Sequence, residues 1–531
     1  MKKITLGKFF ISIFLFIITS PSVWGQTEIH FDISKGDVRF TDTDCTGWDK
    51  SSNTFKTYKH NESNHYHISG TTEQYNVKVG DADKMVEKDY IIYLNNAVIK
   101  IHDKRADNDS CAFAVWNDVS STVAVILKDN SSNILYSGRN RAGLEKSGGK
   151  EAEGTLLITC EKGYIAWVDN HTHGHTYGNH NQSACTDNCG HLDARSGNSW
   201  TGEVDEVYRA GAGIGTGGQG SGGANKANHK SGSNALVNLT IAGGNIQARG
   251  AWGSNASSTS GGGAAIGTGS AKTRSSTAGT VYNLNITGGN ITAYRVDNSA
   301  ACIGGGYRSG YVNMNIYGGT IKANLSDALN YKKKLKFTKM RAAAIGGGGG
   351  GTSTASPAGA TVTIYNGEIE ALGQYGAAIG AGAGGKDGYG QLGTVIIYNG
   401  LITADTKKGD GNGAGAAIGS GGSLEKGHAG NATVTINGGI INANSELGAD
   451  IGGGGTNSTE TSGYGGDGII TITGGKIIAN RGGIGGGRAN AGLGGNATIT
   501  ITKSNDSDAP DITATSIGGG RSSTQREVML R

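Results

Sequence analysis

The sequence predicts an all-β chain: a right-handed parallel β-helix, or β-solenoid, of roughly 33-residue coils with loop insertions and an irregular N-terminal cap. The first observation behind this is a motif. Ala-Ala-Ile-Gly-Gly-Gly, or a close relative, recurs with its isoleucine at Ile214, Ile266, Ile303, Ile345, Ile379, Ile418, Ile451, Ile484 and Ile517, and the last three intervals are each 33 residues. A fixed period of this size means one structural unit stacked on copies of itself. The second observation is an upstream half in each unit, alternating apolar residues followed by Gly-Gly-x-Ile-x-Ala, as in Thr433-Val434-Thr435-Ile436-Asn437-Gly438-Gly439-Ile440-Ile441-Asn442-Ala443. The third is composition. The 95 glycines fall at recurring positions and only 3 prolines interrupt the chain, so glycine here is positional and not a mark of disorder. Each unit reads strand, turn, strand, turn, third short strand.

At the N-terminus, Lys2, Lys3 and Lys8 precede an apolar run from Phe9 to Thr19, and Val23-Trp24-Gly25 offers small residues for a signal peptidase. Residues 1–25 read as a secretory signal. The run is short for a membrane span and no second apolar stretch of about 18 residues follows, so no membrane span is expected after signal removal. The expected location is secreted or cell-surface, extracellular or periplasmic. The chain carries 47 basic and 43 acidic residues; loss of the three leader lysines leaves them within one of balance. That gives no electrostatic case for nucleic acid or for anionic lipid.

Residues 26–89 read as an N-terminal cap or first irregular coil, because an open solenoid end exposes unpaired backbone. Residues 90–209 read as degenerate coils, with Tyr90–Leu94, Val123–Leu127 and Leu156–Ala166 as strand-like pieces and a His/Cys-rich insertion at 171–193. Residues 210–520 hold the regular Gly-rich repeats, and 521–531 form a C-terminal tail. With neither a cap nor a sorting domain after Gly520, that end reads as a truncated or short product.

Alternation assigns faces. With Val434 and Ile436 inward, Thr433 and Thr435 point outward; on the next strand Ile441 and Ala443 point inward, Asn442 and Asn444 outward. The same register elsewhere gives outward pairs Asn238/Thr240, Asn283/Asn285, Asn313/Asn315, Thr361/Thr363, Thr394/Ile396, Ile469/Thr471 and Thr498/Thr500. These form a polar ladder of Asn and Thr. About a dozen coils spaced about 4.8 Å apart make a rod roughly 55 to 60 Å long.

On these two motifs, residues 90 to 520 resemble a group of bacterial secreted proteins with Gly-rich right-handed parallel β-helix repeats, described as adhesin-like or as carrying a carbohydrate-binding domain. The resemblance implies an exported, non-catalytic β-helix acting in surface adhesion or carbohydrate binding, with a glycan or host-cell surface ligand as partner. It carries over no catalytic residue, since the matching residues are those that build coils.

Three sets of residues break the repeat and are candidates for chemistry. Tyr317, Tyr365 and Tyr398 follow the inward isoleucine of the first strand in three consecutive coils, where other coils have Ala242, Thr287, Asn437, Thr473 or Thr502. Exposed rings stack on sugar faces and phenols hydrogen-bond hydroxyls, which makes the column a ligand-binding candidate; a structural aromatic ladder covering a turn is the competing reading. The insertion offers His171, His173, His175 and His191, with His180, Cys185, Cys189 and Asp193. His-x-His on an extended strand puts alternate rings on one face, a donor set for zinc or copper. Against this, Cys185 and Cys189 are spaced to close a small disulfide ring in an oxidising compartment, and then the loop is simply solvated. His60, His65 and His67 form a second, smaller cluster. The alternative function is a polysaccharide lyase or glycoside hydrolase on the same scaffold. That chemistry needs paired carboxylates, or an acidic calcium site with a basic residue, projecting from adjacent coils, whereas Glu368, Glu370, Asp405 and Asp450 do not share a column.

Overall fold

The structure, a computed structural model, describes residues 27–80, 84–101, 111–116, 118–146, 154–165, 188–197, 210–218, 235–251, 261–271, 279–295, 298–324, 340–349, 359–384, 389–407, 415–423, 427–456, 463–503 and 509–522. The leader, the tail beyond residue 522 and the core of the His-rich insertion lie outside them. Three stacks of parallel strands run the length of the described chain. The first passes through thirteen levels, from Thr27–Asp32 to Ala497–Ile501. The third, of short strands, runs from Val38–Phe40 to Ile517–Gly518. Between them in chain order lies the second stack, ending at Asp511–Ala514. Twelve steps of about 4.8 Å give a rod of about 58 Å. This is the predicted parallel β-solenoid.

The core is a set of columns. Ile214, Ile266, Ile303, Ile345, Ile379, Ile418, Ile451 and Ile484 lie directly above one another and are all buried. So do Val434 and Ile436 with their counterparts, and the alternation of buried and half-buried residues in Ala432–Ile436 matches the predicted faces. The polar column also forms: Asn283 Nδ2 donates to Asn238 Oδ1 at 3.0 Å, and Asn315 Nδ2 to Asn285 Oδ1 at 3.1 Å. One irregularity falls inside it, a bulge between Val281 and Leu284 that places Asn283 off the ladder register.

The glycine of each Ile-Gly strand has a specific cause. Gly419 sits at φ 139°, and a Cβ there would run into the carbonyl oxygen of Gly452 in the next coil. Both the positive φ and the close approach of neighbouring backbones exclude a side chain.

Parallel pairing reaches farther toward the N-terminus than the repeat motif does. Thr27–Asp32 and Val38–Phe40 already pair in parallel with Asn64–Thr72 and Val77–Val79. The capping element is an antiparallel hairpin, Asp44–Asp49 with Thr54–Lys59, whose first strand also pairs antiparallel with the strands of the first coil. Beneath it, Phe40 packs edge-on against Tyr66 and Tyr90, with ring centroids 5.1 Å apart in both pairs. Rings fill here the volume that isoleucines fill elsewhere. At the other end, Ile501 and Ile517 are 43% and 38% exposed; among the described residues no further coil packs on the outer side of the last one.

The insertion divides a coil differently from expectation. Thr155–Cys160 is the first strand of its level, but residues 161–165 are a short helix, not the second strand. Tyr164 of that helix packs over the outward side chains Ala124, Ile126 and Leu157, forming a small second core. The second strand is His191–Gly197, between Ser132–Arg139 and Asn245–Arg249. Gly190-His191-Leu192-Asp193-Ala194 supplies the Gly-x-Ile-x-Ala pattern with Leu for Ile, and Leu192 and Ala194 are buried.

Two tests follow from this packing. Gly419→Ala and Gly518→Ala incur similar φ strain, about 1–3 kcal/mol, yet a Cβ on Gly518 meets nothing within 4 Å. Denaturant unfolding should therefore show a clearly larger loss for Gly419→Ala; equal losses would show that the inter-coil contact contributes nothing. The second test concerns Lys146, which is 1% exposed and, among the described residues, has no hydrogen-bond partner at Nζ. Burial pushes its ammonium down to about 8. The unfolded chain then binds more protons between pH 8 and 10.5, so the penalty is full below pH 8 and fades as pH rises. Lys146→Met is expected to stabilise at pH 7 by up to about 3 kcal/mol, with the gain vanishing toward pH 10.5. A gain that does not change with pH would contradict this origin.

Candidate functional site

The tyrosines stand where the first strand turns toward the second. Their backbone N–H groups donate to Ile286, Ile316 and Ile364 of the preceding coils at 2.7, 2.7 and 2.8 Å, which fixes the rings one coil apart. The rings then stack on each other: Tyr317 on Tyr365 with centroids 4.5 Å apart at 3°, Tyr365 on Tyr398 at 5.0 Å and 5°. Stacking uses up the ring faces. What remains for a ligand is a row of ring edges and hydroxyls, most open at Tyr398, which is 46% exposed. A sugar stacks on a free face, so the stacked column offers edges and hydroxyls in place of that mode.

A second ladder borders the other end of the same strands. Tyr389, His428 and Tyr464 each lie four residues before a first-stack strand, and their rings stack at 4.9 Å and 8°, then 4.8 Å and 7°. These positions are in Gly-rich loops of differing length, where strand alternation gives no frame; the spacing to the following strand is the signal that finds them. Beside the ladder runs an open groove of about 470 Å³, lined among others by Tyr389, His428, Asn431, Tyr464, Asp467 and Asn496. It shares Asn431, Asp467 and Asn496 with a neighbouring groove of about 310 Å³ that takes in Leu392, Thr433, Ile469 and Thr498. Asn431, Asp467 and Asn496 form its polar rail: the Asp467 N–H donates to Asn431 Oδ1 at 2.8 Å, and the Asn496 N–H to Asp467 Oδ1 at 2.7 Å.

The outer face of the first stack is thus a Thr-rich terrace with aromatic rings at both edges. Most of the large exposed apolar side chains lie in these coils, among them Leu392, Leu401, Ile440, Ile469 and Leu493. Past the first ladder, Thr320, Lys322, Glu368, Glu370, Leu401 and Thr403 line a shallow groove of about 130 Å³. Glu370 stands in a column between Lys322 and Thr403, and Glu368 between Thr320 and Leu401. The two carboxylates are therefore neighbours along one strand and not across coils. Asp405 accepts from Asn444 Nδ2 at 2.9 Å. Asp450 is buried and caps a turn, accepting from the N–H groups of Ser445, Arg481 and Gly483; desolvation raises its pKa against those hydrogen bonds.

Of the insertion residues, His171, His173, His175, His180 and Cys185 lie outside the described residues, and with them all of the predicted metal set except His191, and the Cys185 half of the disulfide ring. His191 and Asp193 are outward positions of a coil strand. Asp193 takes a hydrogen bond from the Tyr136 hydroxyl at 2.8 Å and pairs with Arg195 at 2.6 Å, while Arg195 lies over the Tyr136 ring. Cys189 is buried just before that strand, and Cys302 is buried in its alanine column with its thiol pushed up by burial.

The smaller histidine cluster divides. His60 turns under the cap, its Nδ1 3.0 Å from the Tyr66 hydroxyl. His65 and His67 face outward, and the first coil brings Glu28 and His30 beside them in register, Glu28 with His65 and His30 with His67. Glu28 contacts both: Oε1 is 3.4 Å from His65 Nδ1, and Oε2 meets His67 Nε2. Burial lowers the pKa of both histidines, against the pull of Glu28. Sequence reading missed Glu28 and His30 because residues 26–89 carry no repeat motif from which to infer a shared face.

The chain matches no protein-family model, no curated protein and no solved structure.

The stacking geometry makes a measurable claim. Tyr365→Ala breaks two ring stacks and Tyr398→Ala breaks one, at about 0.5–1.5 kcal/mol each beyond lost area. The denaturation midpoint should fall about twice as far for Tyr365→Ala, whereas equal and negligible shifts would mean that the ladder does not stabilise the coils.

Proposed function

We propose that this chain is an exported, non-catalytic solenoid that holds glycan or cell-surface ligands along the outer face of its first strand stack, serving adhesion or carbohydrate binding. One observation carries the reading: two stacked aromatic ladders lie at opposite edges of one Thr-rich face, offset along the axis and meeting in the Gly393–Ile397 coil, beside grooves that span neighbouring coils. An apolar rim with convergent amide and carboxylate groups suits a polyhydroxylated chain, and exposed apolar surface of this extent marks a contact face. Repetition along the axis suits a polymeric ligand, because each further occupied coil adds an intramolecular contact. Open grooves along the rod favour holding a chain over enclosing a reacting bond. The Asn431–Asp467–Asn496 rail and the Tyr389–His428–Tyr464 rings are the expected contact residues, with Tyr398 at the opposite edge and Tyr317 and Tyr365 contributing edges and hydroxyls.

The test is a glycan array with the intact mature chain, followed by titration calorimetry on the best ligand. Binding is expected, reduced at least tenfold by the pair Tyr389→Ala and Tyr464→Ala and less by Tyr398→Ala. No binding by the intact protein, with cell and matrix adhesion unchanged in these variants and in Tyr317→Ala and Tyr365→Ala, would overturn the reading. Release of reducing ends or unsaturated products from polysaccharides, abolished by Glu370→Gln, would replace it with an enzyme. Mass spectrometry of the secreted protein is expected to place the mature N-terminus near Gly25.

A further inference from the structure

We propose that Glu28, His30, His65 and His67 form a binding site for one divalent transition-metal ion, zinc or copper, that ties the first coil to the second. The four residues form a two-by-two grid. Glu28 and His30 alternate with the buried Ile29 and Phe31 on one strand, and His65 and His67 with the buried Tyr66 and Ile68 on the next. Parallel register sets Glu28 opposite His65 and His30 opposite His67, so all four side chains leave the same outer face one coil apart.

The geometry is close to that of a ligated ion. One donor atom each from Glu28, His30 and His67 lies within 4.8 Å of the others, and His65 Nδ1 is 3.4 Å from the Glu28 carboxylate. A tetrahedral ion with bonds of about 2.0–2.1 Å holds its donors roughly 3.3 Å apart, so closing the site takes side-chain rotation and no backbone shift. His67 is the preset member. It is 7% exposed, and its ring is held between His30, at 4.5 Å, and Tyr93, at 4.6 Å and 12°, with Nε2 directed at Glu28. His30 is exposed; as a ligand it would leave its stack on His67, which keeps the Tyr93 contact, and turn a nitrogen toward the same centre. Three imidazoles and one carboxylate suit zinc or copper, whereas calcium and magnesium call for an all-oxygen set. None of the four ligands belongs to the His-rich insertion, and the site does not depend on glycan binding.

The experiment uses the full mature chain, stripped with chelator and titrated calorimetrically with zinc sulfate alone and copper sulfate alone. His171→Ala/His173→Ala/His175→Ala/His180→Ala/Cys185→Ala removes the insertion's histidine and cysteine donors ahead of the buried Cys189 and the coil strand. That variant is expected to keep a site of one equivalent and to show a higher melting temperature with metal. Adding Glu28→Gln and His30→Ala, both at exposed positions, should weaken binding at least tenfold and abolish the metal-dependent shift in melting, while the metal-free circular dichroism spectrum stays the same. Cobalt substitution in the site-intact protein should give the intense visible bands of a four-coordinate ion. The proposal falls if the insertion variant binds no metal, or if Glu28→Gln/His30→Ala leaves both affinity and the melting shift unchanged.

Discussion

Everything distinctive about this molecule depends on backbone hydrogen bonding between parallel strands of successive coils. That bonding fixes a rise of about 4.8 Å and allows no slip, since a one-residue shift would turn the Val/Ile/Ala columns outward. Like positions in successive coils are therefore superposed: Ile418 over Ile451, Thr394 over Thr433, Tyr365 over Tyr398. The spacing is near the stacking distance of aromatic rings, so identical or similar rings one coil apart stack without adjustment. The same rise brings the backbones of neighbouring coils so close at Gly419 and Gly452 that no side chain fits. Glycine at the third strand, isoleucine in the core and rings at the edges are three consequences of one spacing.

The register was legible in the sequence wherever an alternating strand was followed by Gly-Gly-x-Ile-x-Ala. Thr433 and Thr435 were placed outward and Val434 and Ile436 inward from that pattern alone, and the burial of each agrees. The tyrosine column was legible for the same reason. That its rings would stack on one another, using up the faces a sugar needs, was not, because alternation assigns a side and not the neighbour across 4.8 Å. Loops carry no such frame, and so Tyr389, His428 and Tyr464 went unread until their distance to the next strand was known. In the insertion coil Gly163-Tyr164-Ile165-Ala166 imitated the second strand, yet Gly190-His191-Leu192-Asp193-Ala194 forms it. The difference lies in what must be buried: the helix of residues 161–165 places Tyr164 over outward apolar residues that would otherwise face water.

Function on such a rod is a matter of columns that depart from the consensus. At the N-terminal coils the outward column changes to Glu28, His65 and then the apolar Ile91, with His30, His67 and Tyr93 alongside. In the later coils it is threonine bordered by rings. The first arrangement concentrates donor atoms at a point, which suits an ion; the second extends recognition along an axis, which suits a chain. The scaffold is indifferent to which is built, because outward positions bear little of the core's packing, and this is why the repeat motif identifies the fold and is silent on the ligand.

In-register stacking is measured most directly by distances along one outward column. Nitroxide labels at Ser132→Cys paired in turn with Thr320→Cys, Leu401→Cys and Lys476→Cys span four, six and eight coil steps of the second stack. Pulsed electron spin resonance on the full mature chain should give narrow distributions centred near about 19, 29 and 38 Å, rising by about 4.8 Å per coil. Distances that are broad, or that fail to grow in that proportion, would contradict the continuous in-register solenoid on which both ladders and the histidine grid depend.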